Sequence, residues 1–304
     1  MFDILVAGEI NPDLILSGDA LPEFGQVEKI VDSAALTIGS SSAIFACGAA
    51  RLGLKVAFIG VCGDDVFGRF MLDEMQKRDV DVSNVIVRAD GQTGLSVILN
   101  RQSDRAILTH PSLIAELEAS DISDALLYKS RHLHVASYFL QTKLQHGLPA
   151  LFRRARELGL TTSLDTNYDP TERWAGFDEL LSVTDVFLPN QTEALSITET
   201  TDVELAAKQL AQKAKLVAIK LGADGALACS RSEISKAPSI LVNVVDTVGA
   251  GDSFDVGFMY GYLNNWPMEK SLRLACVCGA LSTQQAGGTN GQPSLEKAMK
   301  YVSG

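Results

Sequence analysis

The composition of this 304-residue chain limits the class of protein to which it belongs. Hydrophobic residues make up 46% of the chain and charged residues 21%, which suits one large α/β domain and excludes a disordered chain. The formal net charge of −11 argues against a nucleic-acid or anionic-membrane partner. The five cysteines follow no regular spacing, so we expect free, buried thiols in a reducing compartment.

The chain opens directly on a strand pattern that begins at Phe2. No basic leader or cleavage site precedes this pattern, and no apolar run reaches the roughly 18 to 20 residues that span a bilayer. We therefore expect a cytoplasmic protein without a membrane partner.

Short apolar runs alternate with amphipathic stretches along the chain. Strands are predicted at Ile4–Ala7, Val56–Val61, His132–Ala136, Thr162–Asp165, Val186–Leu188, Val217–Leu221 and Ala226–Cys229. Helices are predicted between them at Phe67–Arg78, Leu148–Leu158 and Val203–Lys213. This alternation predicts an α/β fold with a mostly parallel sheet covered on both faces, in which ligands bind beyond the carboxyl ends of the strands.

Two segments, residues 14–38 and 94–109, break this alternation. The first holds strand-like pieces at Leu14–Leu16, Val27–Val31 and Leu36–Ile38 with no helix between them. The second reads as a hairpin with a polar turn around Gln102–Asp104. We expect both segments to form a small β-sheet that projects from a single domain of residues 1–304. This sheet is predicted to be a lid over the substrate and a surface for a homodimer.

The most informative stretch is Asp246–Phe254, with the sequence DTVGAGDSF. Its glycines allow the backbone N–H groups of Gly249, Ala250 and Gly251 to point into one concavity, and the helix that follows adds its positive N-terminal end. Asp252 lies where it can accept a proton from an incoming hydroxyl group. This pattern predicts an ATP-dependent small-molecule kinase, whereas the alternative is an ordinary helix N-cap by Asp252.

Two better-known phosphate-binding motifs are not supported. Nothing matches the GxxxxGK[ST] pattern of a Walker loop. Gly249 and Gly251 begin a GxGxxG pattern, but Phe254 occupies the position of its last glycine. The chain is therefore predicted to be neither a P-loop enzyme nor a dinucleotide-dependent dehydrogenase.

The DTVGAGDSF string and the residues that follow it resemble the C-terminal signature of the ribokinase-like, or PfkB, sugar kinases. Other stretches resemble further motifs of this family in the family's order: Gly8–Asp13, Ala50–Gly53, Gly60–Gly68, Asp165–Asn167 with Trp174, Asn190–Glu193 and Lys220–Ala226. The resemblance covers essentially the whole chain. It implies a ribokinase-like three-layer α/β/α fold with a small β-sheet lid.

The resemblance also implies roles in phosphoryl transfer. Asp252 would be the general base, and the amides of Gly249 to Gly251 would stabilise charge on the γ-phosphoryl oxygens. Asn190 and Glu193 would organise Mg²⁺ and the phosphates, partly through water. The alternative for this pair is a capping box at a helix start.

The nucleotide and cation sites are likewise implied by the resemblance. Residues on the triphosphate and adenosine side would be Lys220, Gly222, Gly225 and Thr247. Cys276 falls on the helix that flanks the adenine in this family, with a plain core position as the alternative. Asp246 occupies a position where relatives hold a monovalent cation such as K⁺.

The acceptor side keeps part of the family pattern and departs from it elsewhere. Asp13 would accept hydrogen bonds from sugar hydroxyls, with a turn-initiating role as the alternative, and Asn167 would lie nearby. Gly39 is followed by Ser40 instead of a second glycine, and Ile44 stands where relatives carry a sugar-binding asparagine. Ser40 would either bind a ligand or cap the helix that runs to Leu52.

These departures lead to one leading hypothesis for the reaction. Serines in place of the usual motif disfavour ribose. Asp169, which stands where many relatives have arginine, weakly disfavours a sugar acid, although Arg173 is close enough in sequence to keep a sugar acid as an alternative. We therefore expect MgATP-dependent phosphorylation of a primary hydroxyl group of a small neutral sugar. The alternatives are a nucleoside kinase of the same family and a catalytically inactive sugar or nucleotide sensor.

Overall fold

The computed structural model describes residues 1–101, 104–231 and 233–302. The strands in these residues are β1 Ile4–Ala7, β2 Pro12–Ser17, β3 Ser33–Ile38, β4 Val56–Ile59, β5 Val61–Gly63, β6 Val80–Asp81, β7 Ile86–Arg88, β8 Leu95–Arg101, β9 Asp104–His110, β10 His132–Val135, β11 Thr161–Leu164, β12 Val186–Phe187, β13 Leu216–Lys220, β14 Ala226–Ser230 and β15 Glu233–Ala237. The helices are α1 Ser41–Arg51, α2 Val66–Gln76, α3 Asp124–Leu127, α4 Thr142–Glu157, α5 Phe177–Ser182, α6 Gln191–Thr198, α7 Val203–Leu210, α8 Ala250–Leu263, α9 Met268–Ser282 and α10 Leu295–Val302.

A nine-stranded sheet forms the centre of the molecule, with strand order β15-β14-β13-β12-β11-β10-β1-β4-β6. All neighbours pair in parallel except β13 with β14 and β14 with β15. Side chains on β1 alternate between two apolar clusters: Ile4 and Val6 belong to one, and Leu5 and Ala7 to the other. A sheet buried on both faces needs such continuously apolar strands, so the predicted fold class is confirmed.

The seven predicted core strands are all present. Strand β1 has the predicted bounds and the other ends differ by at most two residues, while β4 and β5 divide the run predicted as one strand. Helix α4 begins six residues before the predicted start. Helix α8 packs closely on α9, because a Cβ at Gly257 would lie 2.7 Å from the Cα of Ala275. Among the described residues, no helix is both long and apolar enough to cross a bilayer.

A separate four-stranded sheet, which we call the small sheet, has the order β3-β2-β8-β9. Its register aligns Thr37, Asp13, Ser96 and Thr109 in one row across the strands. Ile15 and Ile98 lie on the same face as this row and belong to the core of the main domain. That face of the small sheet therefore looks towards the main sheet, and its polar row lies over the strand ends.

One predicted piece of the small sheet was wrong. Residues 27–31, predicted as a strand, have no regular structure, and Ile30 is exposed. This segment lies in the connection between β2 and β3, where Lys29 forms ion pairs with Asp19 at 2.6 Å and with Glu23 at 3.3 Å instead of joining a strand ladder. The hairpin of β8 and β9 is confirmed, although residues 102 and 103 of its turn lie outside the described residues.

Candidate active site

The N-terminus of helix α8 is an uncapped glycine turn, which we call the anion-binding turn because its geometry suits an anion. Gly249 is its N-cap in the left-handed region (φ 73°), and no side chain caps the helix there. A Cβ at Gly249 would lie 2.7 Å from the carbonyl oxygen of Gly288, so only glycine fits. The Ala250 amide donates to the Thr247 carbonyl at 3.3 Å and closes the turn. The first helical turn can therefore present amide groups and the positive end of the helix dipole to an anion.

Asp252 lies in the first turn of α8 and is partly exposed. Burial by its surroundings and the negative charge of Asp165 raise the pKa of Asp252 to about 7. Its Oδ1 accepts a hydrogen bond from the hydroxyl group of Ser41. A carboxyl group with a pKa near neutral at the mouth of an anion site is suited to general base chemistry.

A buried charge cluster supports this end of α8 from below. The Lys220 Nζ lies 2.8 Å from Asp165 Oδ2 and 3.0 Å from Asp255 Oδ2. Burial raises the pKa of Asp255 well above its usual value. Burial also acts to raise the pKa of Asp165, but the charge of Lys220 and the hydrogen bonds that Asp165 makes with Asp255, Lys220 and the Asn167 amide together lower it. A Cβ at Gly251 would lie 3.7 Å from the Lys220 Nζ. The only lysine in this cluster therefore offsets its negative charge directly beneath the anion-binding turn.

A cavity of about 440 Å³ extends from this turn between α8, α9 and the end of β13. Five residues predicted on the nucleotide side line it: Lys220, Gly222, Gly225, Thr247 and Cys276. Ala250 and Gly251 form its inner end, while Ile240 and Val242 contribute to an apolar wall. Its volume and mixed lining are those of a small-molecule site.

Asn190 and Glu193 form the capping box that was the alternative to their predicted role. Asn190 Oδ1 accepts from the Glu193 amide at 3.0 Å, and Glu193 Oε2 accepts from the Asn190 amide at 2.9 Å. Burial, followed by the charge of Asp165, raises the pKa of Glu193 to about 7. Capping is therefore observed, and the part of this pair in holding Mg²⁺ stays a prediction.

The predicted acceptor site is formed by residues at or next to the starts of strands β2 and β8 of the small sheet. Asp13 is 7% exposed, and burial raises its pKa to about 7 although the positive charge of Arg105 opposes the shift. The side-chain amide of Asn11 donates to Ser96 Oγ at 3.2 Å, and Ser96 Oγ shares a 3.0 Å hydrogen bond with Thr109 Oγ1. A Cβ at Gly39 would lie 2.2 Å from Asp13 Oδ1, so glycine at this position makes room for the carboxyl group.

Ser40, Ser41 and Ser42, which we call the serine turn, lie at the start of α1, and two of their three side chains make hydrogen bonds that fix this helix start. Ser40 Oγ donates to the Glu9 carbonyl at 2.7 Å and accepts from the Ala43 amide at 3.0 Å. The Glu9 carboxylate accepts from the amide and hydroxyl groups of Ser42 at 3.2 and 2.6 Å. The capping interpretation of Ser40 is thus confirmed, and its single hydroxyl proton is not free for a substrate, as a binding role for Ser40 would require.

Ile44 contacts the anion-binding turn. A Cβ at Gly288 would lie 2.4 Å from Ile44 Cδ1, and a Cβ at Gly249 would lie 3.0 Å from Ile44 Cγ2. The side chain is almost fully buried. It therefore supplies packing beneath the turn where an asparagine would supply hydrogen bonds.

The loop after β11 places Asn167 at the cleft and turns Asp169 away from it. Asn167 has a left-handed backbone (φ 53°), and its Oδ1 lies 3.3 Å from Ser41 Oγ. Asp169 is buried and accepts hydrogen bonds from the amides of Thr171, Arg173 and Trp174 at 2.8 to 3.0 Å. Its carboxylate fixes the loop, so the sequence argument from Asp169 against an acidic acceptor finds no support.

Asp246 also has a structural task. Its two carboxylate oxygens accept from the amides of Val248 at 3.0 Å and Gly287 at 2.9 Å. These bonds join the segment before α8 to the loop that follows α9. A further role of Asp246 towards a monovalent cation stays a prediction.

A cavity of this size that ends at an open helix N-terminus, beside a carboxyl group of raised pKa, defines a phosphotransferase with an α/β fold. The pfkB family of carbohydrate kinases matches residues 1–295. An ATP-dependent ribose-1-phosphate kinase of Halopiger xanaduensis is 29% identical over 306 residues, which cover 100% of this chain and 99% of the relative. A 2-dehydro-3-deoxygluconokinase of Bacillus subtilis is 30% identical over 296 residues, which cover 92% and 91%.

A solved structure with the same fold is that of an Arabidopsis thaliana ribokinase complexed with ribose and ATP. The two chains superpose with a TM-score of 0.88 at 21% identity, over 100% of this chain and 99% of the other. The present chain therefore belongs to the pfkB family of carbohydrate kinases. It is an ATP-dependent sugar kinase with the ribokinase-like fold.

Proposed function

We propose that this enzyme transfers the γ-phosphoryl group of MgATP to a primary hydroxyl group of a small neutral sugar, with Asp252 as the general base. The observation that carries the proposal is the position of Asp252, a partly exposed carboxyl group whose pKa is raised to about 7 within the first turn of α8. A base with this pKa can be ionised at neutral pH and still accept a proton during attack.

The reaction follows from the arrangement of these groups. ATP would occupy the cavity between α8 and α9, with its γ-phosphoryl group at the amides of Gly249 to Gly251. The acceptor hydroxyl oxygen attacks phosphorus as its proton passes to Asp252, and the bond between phosphorus and the β–γ bridging oxygen breaks to release ADP. The amides stabilise negative charge as it builds on the transferred group.

Magnesium fits the donor set at the N-terminus of α6. Glu193 and Asn190 offer oxygen ligands, which Mg²⁺ prefers, and would hold the ion partly through water. When bound, Mg²⁺ neutralises charge on the β- and γ-phosphates. Glu193 has a pKa near 7 because it is buried close to Asp165, so a nearby cation would favour its ionised form.

The acceptor site suits a polyol. Asn11, Asp13 and Ser96 place an amide, a carboxyl and a hydroxyl group in one hydrogen-bonded cluster, and all three are buried. Such groups match alternating hydroxyl groups of a sugar. Both curated relatives described above have names that refer to anionic acceptors. A test of the substrate class must therefore include charged sugars.

The deciding experiment is an ADP-release assay with MgATP over a panel of neutral sugars, sugar acids, sugar phosphates and nucleosides. We expect the highest kcat/KM with a neutral sugar. Preferential turnover of a nucleoside would establish the alternative nucleoside kinase, and preference for an anionic sugar would overturn the neutral class. Saturable sugar binding without turnover of any acceptor would identify a sensor.

We also propose that the small sheet acts as a lid and that its outer face pairs with a second copy of the chain. The row on that face is Leu36, Leu14, Val97 and Leu108, all apolar, with Leu108 61% exposed. Symmetric pairing would bury this row against itself, which is the usual arrangement in homodimers. Light scattering should give twice the chain mass, and Leu108→Glu should reduce it to one chain mass. A monomeric parent protein would contradict this proposal.

A further inference from the structure

Ser41 is the one residue of the serine turn whose hydroxyl group faces the cleft. Ser40 and Ser42 are buried and bonded to Glu9, whereas Ser41 is only partly buried as the first residue of α1. Its Oγ donates to Asp252 Oδ1 and lies 3.3 Å from Asn167 Oδ1. These three residues come from α1, α8 and the loop after β11, so the contact exists only in the folded protein.

The bonding capacity of Ser41 has a direct consequence. A serine hydroxyl has one proton, so it donates fully either to Asp252 or to Asn167. Donation to an ionised carboxylate is stronger than donation to a neutral amide oxygen. While Asp252 is ionised, the hydroxyl group of Ser41 therefore donates its hydrogen bond to Asp252, and this bond occupies Oδ1. Oδ2 is then left for the acceptor hydroxyl group.

We propose that Ser41 is a positioning residue for Asp252, because its hydroxyl group orients the carboxylate and favours the ionised form that accepts the acceptor's proton. Once Asp252 has taken up that proton, the hydroxyl group of Ser41 can turn to Asn167. This inference rests on the proposed role of Asp252 as the base. It assigns a task to a serine for which the sequence offered no single role.

The negative charges around Asp252 raise its pKa and so favour its neutral form over its ionised form. Glu9 at the end of β1 and Asp165 at the end of β11 are negative and raise its pKa, while Lys220 at the end of β13 lowers it. Asp255, on the next turn of α8, is electrostatically coupled to Asp252 as well. Burial exceeds each of these effects. The hydrogen bond from Ser41 lowers the pKa of Asp252, and it does so more strongly than the positive charge of Lys220.

The test is the pH profile of kcat/KM, measured with the best acceptor from the panel, for the parent enzyme and Ser41→Ala. Loss of a hydrogen bond to a charged group should move the acidic limb upward by about one pH unit. The rate of Ser41→Ala should then be about tenfold low at pH 6 and recover to within about twofold at pH 9. Ser41→Thr, which restores a hydroxyl group, should return the limb to the parent position. Burial also raises the pKa of Glu193 to about 7, so the shift is read as the difference between variant and parent.

Ser42→Ala is the matched control, since it removes the neighbouring hydroxyl group, which contacts Glu9. It should lower stability without moving the limb. An equal shift in Ser42→Ala, or a pH-independent loss in Ser41→Ala, would overturn the positioning role. Asp252→Asn separates this outcome from failure of the proposed base. If Asp252→Asn is nearly inactive and Ser41→Ala shows no shift, only the inference on Ser41 fails; if Asp252→Asn turns over normally, the base itself is wrong.

Discussion

The N-termini of α1 and α8 meet at the same site, yet only one of them is left open. At α1, Ser40 accepts from the Ala43 amide and the Glu9 carboxylate accepts from the Ser42 amide, so protein groups satisfy the free amides. At α8, the N-cap is Gly249, which has no side chain to offer. A helix N-terminus attracts an anion in either case. The difference teaches that the protein supplies its own carboxylate at α1 and leaves α8 without one, where the proposed phosphate would bind.

The largest expected effect comes from removing the carboxylate at the open end. Asp252→Asn should lower kcat by on the order of 10²–10⁴, the usual contribution of a positioned base. Nucleotide affinity should change little, because the amides of α8 remain. Steady-state kinetics and titration calorimetry with a non-hydrolysable nucleotide measure the two quantities. Weak nucleotide binding in this variant would show that Asp252 acts on the nucleotide and not on the acceptor.

The next largest effect should come from the charge that supports the open end. Lys220→Met leaves Asp165 ionised in the interior without its partner, so the free energy of unfolding should fall by about 3–5 kcal/mol. Urea unfolding of the unliganded protein measures this loss. The double variant Lys220→Met with Asp165→Asn removes both charges and should recover most of the stability. No recovery in the double variant would mean that the lysine contributes through packing.

A smaller effect is expected from the turn that opens α8. Gly249→Ala requires a Cβ only 2.7 Å from the Gly288 carbonyl oxygen at a left-handed φ of 73°, with a strain of about 1–3 kcal/mol. The amides should tilt, and kcat should fall at least about tenfold. Gly159→Ala is the control, because Gly159 also has a left-handed φ but its Cβ would meet nothing within 4 Å. It should lose some stability and keep its turnover. Equal turnover losses in both variants would remove the special role of Gly249.

The smallest effect is expected at the closed end. Glu9→Gln replaces an acceptor oxygen with an amide group that faces the donors of Ser42 and Ser137. The free energy of unfolding should fall by about 1–3 kcal/mol, while nucleotide affinity should stay within about threefold. Thermal unfolding and nucleotide titration give both values. A tenfold loss of nucleotide affinity at unchanged stability would show that α1 also serves the ligand.

Sequence reasoning located the open end of α8 better than the closed end of α1. The glycines of the DTVGAGDSF string indicate a tight turn with backbone angles that glycine adopts readily. The turn at Gly249 and the position of Asp252 beside it could therefore be predicted from spacing. Nothing local to Glu9 signals that its side chain reaches a helix start more than thirty residues later. Val27–Val31 was predicted as a strand from its composition, but in the structure this segment forms the connection between β2 and β3.

The sequence by itself determined the alternation of strands and helices, the glycine turn at α8 and the family, because periodicity and backbone conformation are local properties of the chain. Only the tertiary structure decided which distant groups meet: Ser41 with Asp252 across 211 residues, and Lys220 with Asp165 across 55. Such contacts depend on the order of strands in the sheet and on their register. A shift of one residue in the register of β13 would turn Lys220 to the opposite face of the sheet, away from Asp165.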